Sequence, residues 1–132
     1  MSKEQNRSKE FGPERVLVVE DDTMISKLLS IVLEHHGFEV KVADDYASAV
    51  EGLEHEHPSI ILLDLMLPDG NGLDLLKWLR DDKGDAVPVV VLTAFRQEDK
   101  ALRAFELGAN DFISKPFRPR ELVARVQRVL AA

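Results

Sequence analysis

Five side chains that could take part in phosphoryl chemistry stand where strand-like apolar runs of this chain end. They are Glu20, Asp21, Asp64, Thr93 and Lys115. A carboxylate at the end of a buried strand costs free energy unless a nearby positive charge compensates it. If the runs are parallel strands of one sheet, these side chains meet at one edge. Together they could hold a divalent cation and a phosphoryl group beside a nucleophilic carboxylate.

The acids by themselves leave two interpretations open. Glu20, Asp21 and Asp64 would repel one another unless a cation lies between them, and Mg²⁺ favours such hard oxygen ligands. Alternatively, Asp21 and Asp22 cap the helix that follows, which is the interpretation we keep for Asp22. Each of the five residues alone has an ordinary structural explanation. Their joint occurrence at the ends of different strands favours a site.

The bulk composition excludes several classes of protein. The 132 residues suffice for one domain, with 45% hydrophobic and 31% charged residues. The net charge of −7 disfavours nucleic-acid binding by this segment, and the lack of cysteine excludes disulfides and thiolate sites. No apolar run approaches the roughly 20 residues of a membrane span, and the polar N-terminus lacks a secretory signal. We therefore expect a cytoplasmic protein that does not contact a membrane.

The order of elements predicts an α/β fold. Residues 1–14 are polar and predict a disordered tail, and residues 15–132 form the domain. Within the domain, strand-like runs alternate five times with helical patterns, which is typical of a mainly parallel sheet. The predicted strands are 15–19, 38–42, 59–64, 89–93 and 111–115.

The strand sequences also predict the order of strands in the sheet. Strands one, three and four are continuously apolar, as expected for central strands covered on both faces, whereas strand two alternates and strand five is short. Right-handed crossovers then give the order 2-1-3-4-5 of a doubly wound sheet with five helices. Ligands bind such sheets beyond the carboxyl ends of the strands, at the point between strands one and three. Glu20, Asp21 and Asp64 meet there.

Four short segments carry a family resemblance. They are VVEDD at 18–22, LDLMLPDGNG at 63–72, VLTA at 91–94 and SKPF at 114–117. In order and spacing they resemble the signatures of two-component response-regulator receiver domains, the CheY-like family with a flavodoxin-like fold. The resemblance covers about 15–130, nearly the whole chain, and no member of the phosphorylation site is missing.

The resemblance implies a role for each acid. Asp64 would be the phosphoacceptor and would receive a phosphoryl group from a phosphohistidine on a sensor histidine kinase or a phosphotransfer protein. Asp21, Asp64 and the backbone carbonyl of Met66 would bind Mg²⁺, while Glu20 would act mainly through a metal-bound water. Such a domain catalyses only its own phosphorylation and dephosphorylation and is not an enzyme in the ordinary sense.

The resemblance also implies how the phosphoryl group is held and sensed. Thr93 and Lys115 would each bind one phosphoryl oxygen, and the peptide bond after Lys115 is expected to be cis. Phe112 occupies the aromatic switch position, and a core-facing strand aromatic is the alternative interpretation. Met66 and Phe95, both bulky, lie two residues beyond Asp64 and Thr93 and would slow the loss of the phosphoryl group.

The C-terminal segment resembles receivers of the OmpR-like transcription-factor class. Such receivers dimerise through helix four, strand five and helix five by ion pairs, and Asp111, Glu121 and Arg125 match that pattern. The basic residue of helix four is not clearly in place, because Ala101 stands near it, with Lys100 and Arg103 as substitutes. A solvated helix face is the alternative. Switching this surface would control either a separate partner or an effector domain of a longer regulator.

Two other functions share parts of the pattern. A dehalogenase-like phosphatase also uses Asp, Thr, Lys and Mg²⁺, but it places a second acid where this chain has Met66. A flavodoxin-like flavin binder has the same strand order but needs a phosphate-binding loop after strand one. Here the acids Glu20, Asp21 and Asp22 would repel a flavin phosphate. Both alternatives are therefore disfavoured.

Overall fold

The sheet has five parallel strands in the predicted order. The structure, a computed structural model, describes residues 13–94 and 97–132. The strands are β1 (Arg15–Val19), β2 (Glu39–Ala43), β3 (Ile60–Asp64), β4 (Val89–Thr93) and β5 (Asp111–Ser114). They lie in the order β2-β1-β3-β4-β5, and all four neighbouring pairs are parallel. The doubly wound fold predicted from the sequence is confirmed.

In the part of the chain that the structure describes, five helices connect and follow the strands. They are α1 (Thr23–His35), α2 (Tyr46–His55), α3 (Gly72–Lys77), α4 (Glu98–Glu106) and α5 (Pro119–Ala131). Two features were not predicted from the sequence. The helix α3 continues as a π-helical segment, Trp78–Asp82, and a small antiparallel hairpin precedes it, pairing Met66–Leu67 with Gly70–Asn71.

The sheet separates two hydrophobic clusters, because apolar residues occupy both faces of its strands. One cluster packs between the sheet and α2, α3 and α4, and includes Leu17 and Leu63. The other packs between the sheet and α1 and α5, and includes Val18 and Leu62. Every residue of β3 and β4 is buried, so the carboxyl ends of these strands are held firmly in place.

Local signals explain where the elements begin and end. The Asp22 carboxylate accepts hydrogen bonds from the amides of Met24 and Ile25, which confirms that Asp22 caps α1. Gly37, with φ of +91°, lets the chain leave that helix. The predicted second strand began one residue too early, because the Phe38 amide still donates to the carbonyl of Leu33 at the end of α1.

The predicted tail falls almost entirely outside the described residues, which begin at Pro13. Glu14, its last residue, is placed, and its carbonyl accepts a hydrogen bond of 3.0 Å from the Glu39 amide of β2. Among the described residues, no helix has both the length and the apolar character needed to cross a bilayer.

Candidate functional site

Asp64, the last residue of β3, has both carboxylate oxygens engaged. Only 6% of the residue is exposed. Its Oδ1 accepts a hydrogen bond of 3.1 Å from the Met66 amide, and its Oδ2 lies 3.2 Å from the Lys115 ammonium. The lysine is 51 residues further along the chain and follows β5, so the parallel sheet brings the two together. Asp64 is thus a nearly buried carboxylate beside a positive charge.

Glu20 and Asp21 follow β1 and complete an acidic cluster around Asp64. One ligand atom from each of the three acids lies within 4.8 Å of the others, as a site for one cation requires. Glu20 is buried, and its Oε1 accepts a hydrogen bond of 2.5 Å from Lys115. Asp21 is exposed to solvent. This set fits Mg²⁺, which takes one or two carboxylates and keeps several waters.

The acids and Lys115 line an open cleft of about 430 Å³ at the carboxyl edge of the sheet. Its remaining walls are Asp22, Met66, Leu67, Pro68 and Ala94. The cleft lies at the point between β1 and β3 where the sheet order reverses, as predicted. A solute can therefore approach Asp64 from solvent, although the carboxylate itself is almost covered.

Burial and charge shift the pKa of two groups in the cleft. Burial, together with the neighbouring Asp64, raises the pKa of Glu20 from 4.5 to about 7, against the opposing effect of Lys115. Burial alone would lower the pKa of Lys115, but its two carboxylate partners outweigh that effect and raise it. Lys115 therefore stays protonated at neutral pH and supplies a fixed positive charge next to Asp64.

Thr93 and Phe112 lie on the two strands beyond Asp64. Thr93 ends β4, one position past the residue that pairs with Asp64, and it is 2% exposed. Its hydroxyl donates a long hydrogen bond of 3.5 Å to the Ile113 carbonyl. The half-buried Phe112 contacts Phe105 of α4 edge to face, with ring centroids 5.6 Å apart. Thr93 thus directly precedes Ala94, which lines the cleft, and is bonded to the strand that carries Phe112.

The peptide bond between Lys115 and Pro116 is cis, as the resemblance implies. Of the residues expected to tune the lifetime of the phosphoryl group, Met66 lies at the cleft and is 56% exposed. Phe95 lies outside the described residues. The residues predicted for the metal and phosphorylation site therefore gather at the carboxyl edge of the sheet, whereas Asp111, at the start of β5, and its partners on α5 lie elsewhere.

The family to which the chain belongs follows from its sequence as a whole. The model of the response regulator receiver domain matches residues 16–127. The chain belongs to this family. As a receiver domain of a response regulator, it is a signalling module.

Relatives and solved structures agree with this assignment. The chain is 47% identical over 117 residues to the phosphate regulon transcriptional regulatory protein PhoB of Escherichia coli strain K12, covering 88% of this chain and 51% of PhoB. It is 45% identical over 114 residues to the DNA-binding response regulator MtrA of Mycobacterium leprae strain TN, covering 86% of this chain and 50% of MtrA. The chain thus spans about half the length of these curated relatives, which are OmpR-like response regulators.

Solved receiver domains share the fold. The Francisella response regulator 1452 receiver domain superposes with a TM-score of 0.84 at 30% identity, covering 89% of this chain and 97% of that one. A CheY-like receiver domain protein from Methanospirillum hungatei JF-1 gives a TM-score of 0.84 at 28% identity, with 90% and 94% covered. The CheY-like architecture expected from the sequence is therefore shown.

The α4-β5-α5 face of this receiver domain carries a charged network within the chain. Asp111, 8% exposed, accepts hydrogen bonds from Arg125 at 3.0 and 3.2 Å and from Arg128 at 2.9 Å. Arg125 also lies 3.4 Å from Glu121. The three residues predicted for a dimer interface are thus brought together within one chain. The sequence did not identify Arg128 as a partner of Asp111, although its spacing places it on the same helix face as Arg125.

The helix-four part of that face differs from the expected pattern. Ala101, near the position of the expected basic residue, is buried. Arg103, one possible substitute, pairs with Glu106 of its own helix at 3.2 Å. An ion pair from Arg103 to a second copy would therefore compete with an existing partner.

Proposed function

We propose that this receiver domain accepts a phosphoryl group onto Asp64 from a phosphohistidine of a sensor histidine kinase or a phosphotransfer protein. The convergence of two further acids and Lys115 on the Asp64 carboxylate, at the edge of a cleft, carries the proposal. Such transfer depends on positioning and on compensation of charge at the phosphoryl oxygens. The arrangement supports both requirements in a protein with the family's sequence signatures.

The proposed transfer forms one bond at Asp64 and breaks one bond in the donor. One oxygen of Asp64 attacks phosphorus, the phosphorus–nitrogen bond breaks, and its electron pair returns to the imidazole of the donor. The product is an acyl phosphate, which Lys115 stabilises by pairing with one oxygen and Thr93 by donating a hydrogen bond to another. Water later attacks phosphorus and releases phosphate, which restores the Asp64 carboxylate. The domain would thus catalyse only its own phosphorylation and dephosphorylation.

The acidic cluster would hold the cation that this chemistry needs. Asp21, Asp64 and the carbonyl of Met66 would bind Mg²⁺ directly, and Glu20 would act through a metal-bound water. When bound, Mg²⁺ supplies positive charge that offsets the charge of the acids and of the incoming phosphoryl oxygens. The mixture of buried and exposed carboxylates within 4.8 Å supports this assignment.

Phosphorylation would be transmitted through Thr93 and Phe112. The Thr93 hydroxyl exchanges its long bond to the Ile113 carbonyl for a phosphoryl oxygen, and Phe112 turns into the space that is freed. Because Phe112 packs on Phe105, its rotation repacks α4 against β5. The altered α4-β5-α5 face would control a partner or an effector domain in the cytoplasm.

The decisive experiment is incubation with acetyl phosphate and Mg²⁺, followed by intact mass spectrometry. We expect one added phosphoryl group in the wild type, none in Asp64→Ala, and a normal yield in the control Asp74→Ala, which removes an exposed acid of α3. Absence of the adduct from folded wild-type protein would refute the proposal. Continuous release of phosphate from added esters would instead indicate a phosphatase, and a yellow preparation a flavin binder.

A homodimer through the α4-β5-α5 face is a second, separate proposal. It is supported by Leu102 and Phe105 of α4, two apolar side chains that are 65% and 40% exposed; the intrachain pairs of Asp111 would exchange partners on dimerisation. Light scattering of the protein treated with beryllium fluoride, a phosphoryl mimic, should show a dimer that is lost in Leu102→Glu. A wild type that remains monomeric under these conditions would eliminate it.

A third proposal is slow loss of the phosphoryl group. Met66 lies at the cleft, and Gln97 donates a weak hydrogen bond to its sulfur at 3.8 Å. With Phe95, Met66 would obstruct the attacking water. Polar replacements at both positions should therefore speed the decay of the acyl phosphate, and an unchanged decay rate would count against this role.

A further inference from the structure

The small hairpin after Asp64 carries Met66, the residue whose carbonyl is the proposed backbone ligand of Mg²⁺. Only two residue pairs form the hairpin, Met66 with Asn71 and Leu67 with Gly70. So short a pairing does not by itself hold a hairpin in one position in water. Other contacts must therefore fix the Met66 carbonyl relative to Asp64.

Asp69, at the tip of the hairpin, makes such a contact with another element. Its Oδ1 accepts a hydrogen bond of 2.6 Å from the Tyr46 amide, and its Oδ2 accepts one of 3.1 Å from the Ala47 amide. These are the first two amides of α2, which have no partner inside the helix. The negative charge of Asp69 is also favoured at the positive end of the helix dipole.

The same helix already has a local cap. Asp45 precedes α2, and its carboxylate accepts a hydrogen bond of 2.7 Å from the Ser48 amide, the third of the helix. Asp45 and Asp69 thus share the amides of one helix terminus. Asp45 is next to the helix in sequence, whereas Asp69 belongs to the hairpin, so the bonds of Asp69, unlike that of Asp45, tie the two elements together.

Two glycines show how closely the hairpin is packed at both ends. A Cβ on Gly70 would lie 2.8 Å from the ring of Tyr46, so the tip rests directly on that ring. At the base, a Cβ on Gly72 would lie 2.5 Å from the carbonyl oxygen of Asp64, and the Gly72 amide donates to the Leu65 carbonyl. The hairpin is therefore fixed to β3 at its base and to α2 at its tip.

We infer that Asp69 is a positioning residue, which anchors the hairpin to α2 and so holds the Met66 carbonyl where Mg²⁺ is bound. The inference rests on the proposed function, because it concerns the affinity of the same metal site. Asp69 itself does not touch the cation. Removing it should free the tip of the hairpin and weaken Mg²⁺ binding, as loss of a group that orients a ligand does elsewhere.

The test compares Asp69→Ala, Asp69→Asn and Asp45→Ala by calorimetric titration with Mg²⁺. The control Asp45→Ala removes one negative charge and one cap from the same helix but leaves the hairpin anchored. We expect the dissociation constant for Mg²⁺ to rise roughly tenfold in Asp69→Ala. Asp69→Asn should lose less affinity, because one acceptor oxygen remains, and Asp45→Ala should stay close to the wild type.

Hydrogen exchange of the metal-free proteins supplies a second readout that does not depend on Mg²⁺. In Asp69→Ala, the amides at positions 66 and 71 should exchange faster, together with those of Tyr46 and Ala47. Faster exchange confined to α2, with Mg²⁺ affinity unchanged, would show that Asp69 only caps the helix and would overturn the inference. Equal losses of affinity in Asp45→Ala and Asp69→Ala would overturn it too.

The two proposals fail in different ways. A folded wild type that neither binds Mg²⁺ nor accepts a phosphoryl group would refute the proposed function, and the metal role of Asp69 with it. A wild type that does both, beside an Asp69→Ala variant of equal Mg²⁺ affinity, would refute only the role of Asp69.

Discussion

The substitution Gly72→Ala adds one methyl group where the chain turns back against the end of β3. The new Cβ would lie 2.5 Å from the carbonyl oxygen of Asp64 and 2.7 Å from the Cα of Leu65, whereas ordinary contacts begin at 3.4 Å. Both neighbours are backbone atoms, so neither can rotate away as a side chain would. Relief of the clash requires the hairpin and the end of β3 to separate by nearly an ångström.

The expected cost follows from that displacement. Overpacking of this kind destabilises a fold by about 1–3 kcal/mol. Alanine favours the start of α3 over glycine by less than about 1 kcal/mol, so a net loss remains. A misplacement of about 1 Å can lower a reaction rate by roughly a hundredfold. We therefore expect Gly72→Ala to lose about 1–2 kcal/mol of unfolding free energy and to accept a phosphoryl group about 10–100 times more slowly.

The matched control is Gly52→Ala, in the interior of α2. A Cβ there would meet no atom within 4 Å beyond its chain neighbours and the backbone of its own helix, so the substitution should stabilise the protein by about 0.5–1 kcal/mol and leave phosphorylation unchanged. Urea unfolding measures the first quantity, and the time course of labelling by acetyl phosphate with Mg²⁺ measures the second. If Gly72→Ala matched the wild type in both the free energy of unfolding and the rate of labelling, the close contact between Gly72 and the end of β3 would affect neither stability nor phosphorylation, and the reasoning would be wrong.

Three further predictions concern charged groups. In EDTA, the unfolding free energy of the wild type relative to Glu20→Gln should rise by up to about 3 kcal/mol as the pH falls from about 8 to 5. The reason is that the pKa of Glu20 is raised from 4.5 to about 7 in the folded protein. Protonation of Glu20 therefore stabilises the fold fully below pH 4.5, and this stabilisation is lost as the pH rises through 7. A difference in unfolding free energy between the two proteins that does not change with pH would contradict the prediction. Asp111→Ala should lower the free energy of unfolding in urea by about 2–3 kcal/mol, because it removes the nearly buried carboxylate that pairs with Arg125. Glu121→Ala, which removes the more exposed partner of Arg125, should lower it by less than about 1 kcal/mol. Equal losses in the two variants would show that burial of the carboxylate does not matter. Arg80→Ala should cost about 2 kcal/mol by the same measurement, since its guanidinium bonds two backbone carbonyls and a side-chain amide, whereas an unchanged stability would show that these bonds contribute nothing.

Much of the fold could be predicted because the strands are sharply bounded apolar runs. The strands 15–19 and 89–93 were predicted with the bounds that the structure gives them. The order of strands followed from which runs are continuously apolar. Once that order is known, Asp64 and Lys115 must meet, since both stand at the carboxyl edge of the same parallel sheet.

Other features depend on contacts that a local pattern does not contain. The π-helical end of α3 is accompanied by bonds from Arg80 to the Gly108 carbonyl, 28 residues away. Asp69 stands in a Pro-Asp-Gly turn and gives no local sign that it bonds to α2. Charges on one helix face predict ion pairs, but the partners of Asp111 within the chain compete with partners from a second chain, and spacing does not decide between them.

The division of the interior by the sheet restricts how this domain can vary in sequence. Each core side chain belongs to a single layer, with Leu17 and Leu63 on one side and Val18 and Leu62 on the other. A gain in volume in one layer cannot be offset by a loss in the other, because a strand backbone lies between them. Compensating substitutions among homologues should therefore occur between residues that face the same side of the sheet, which along a strand are every second residue.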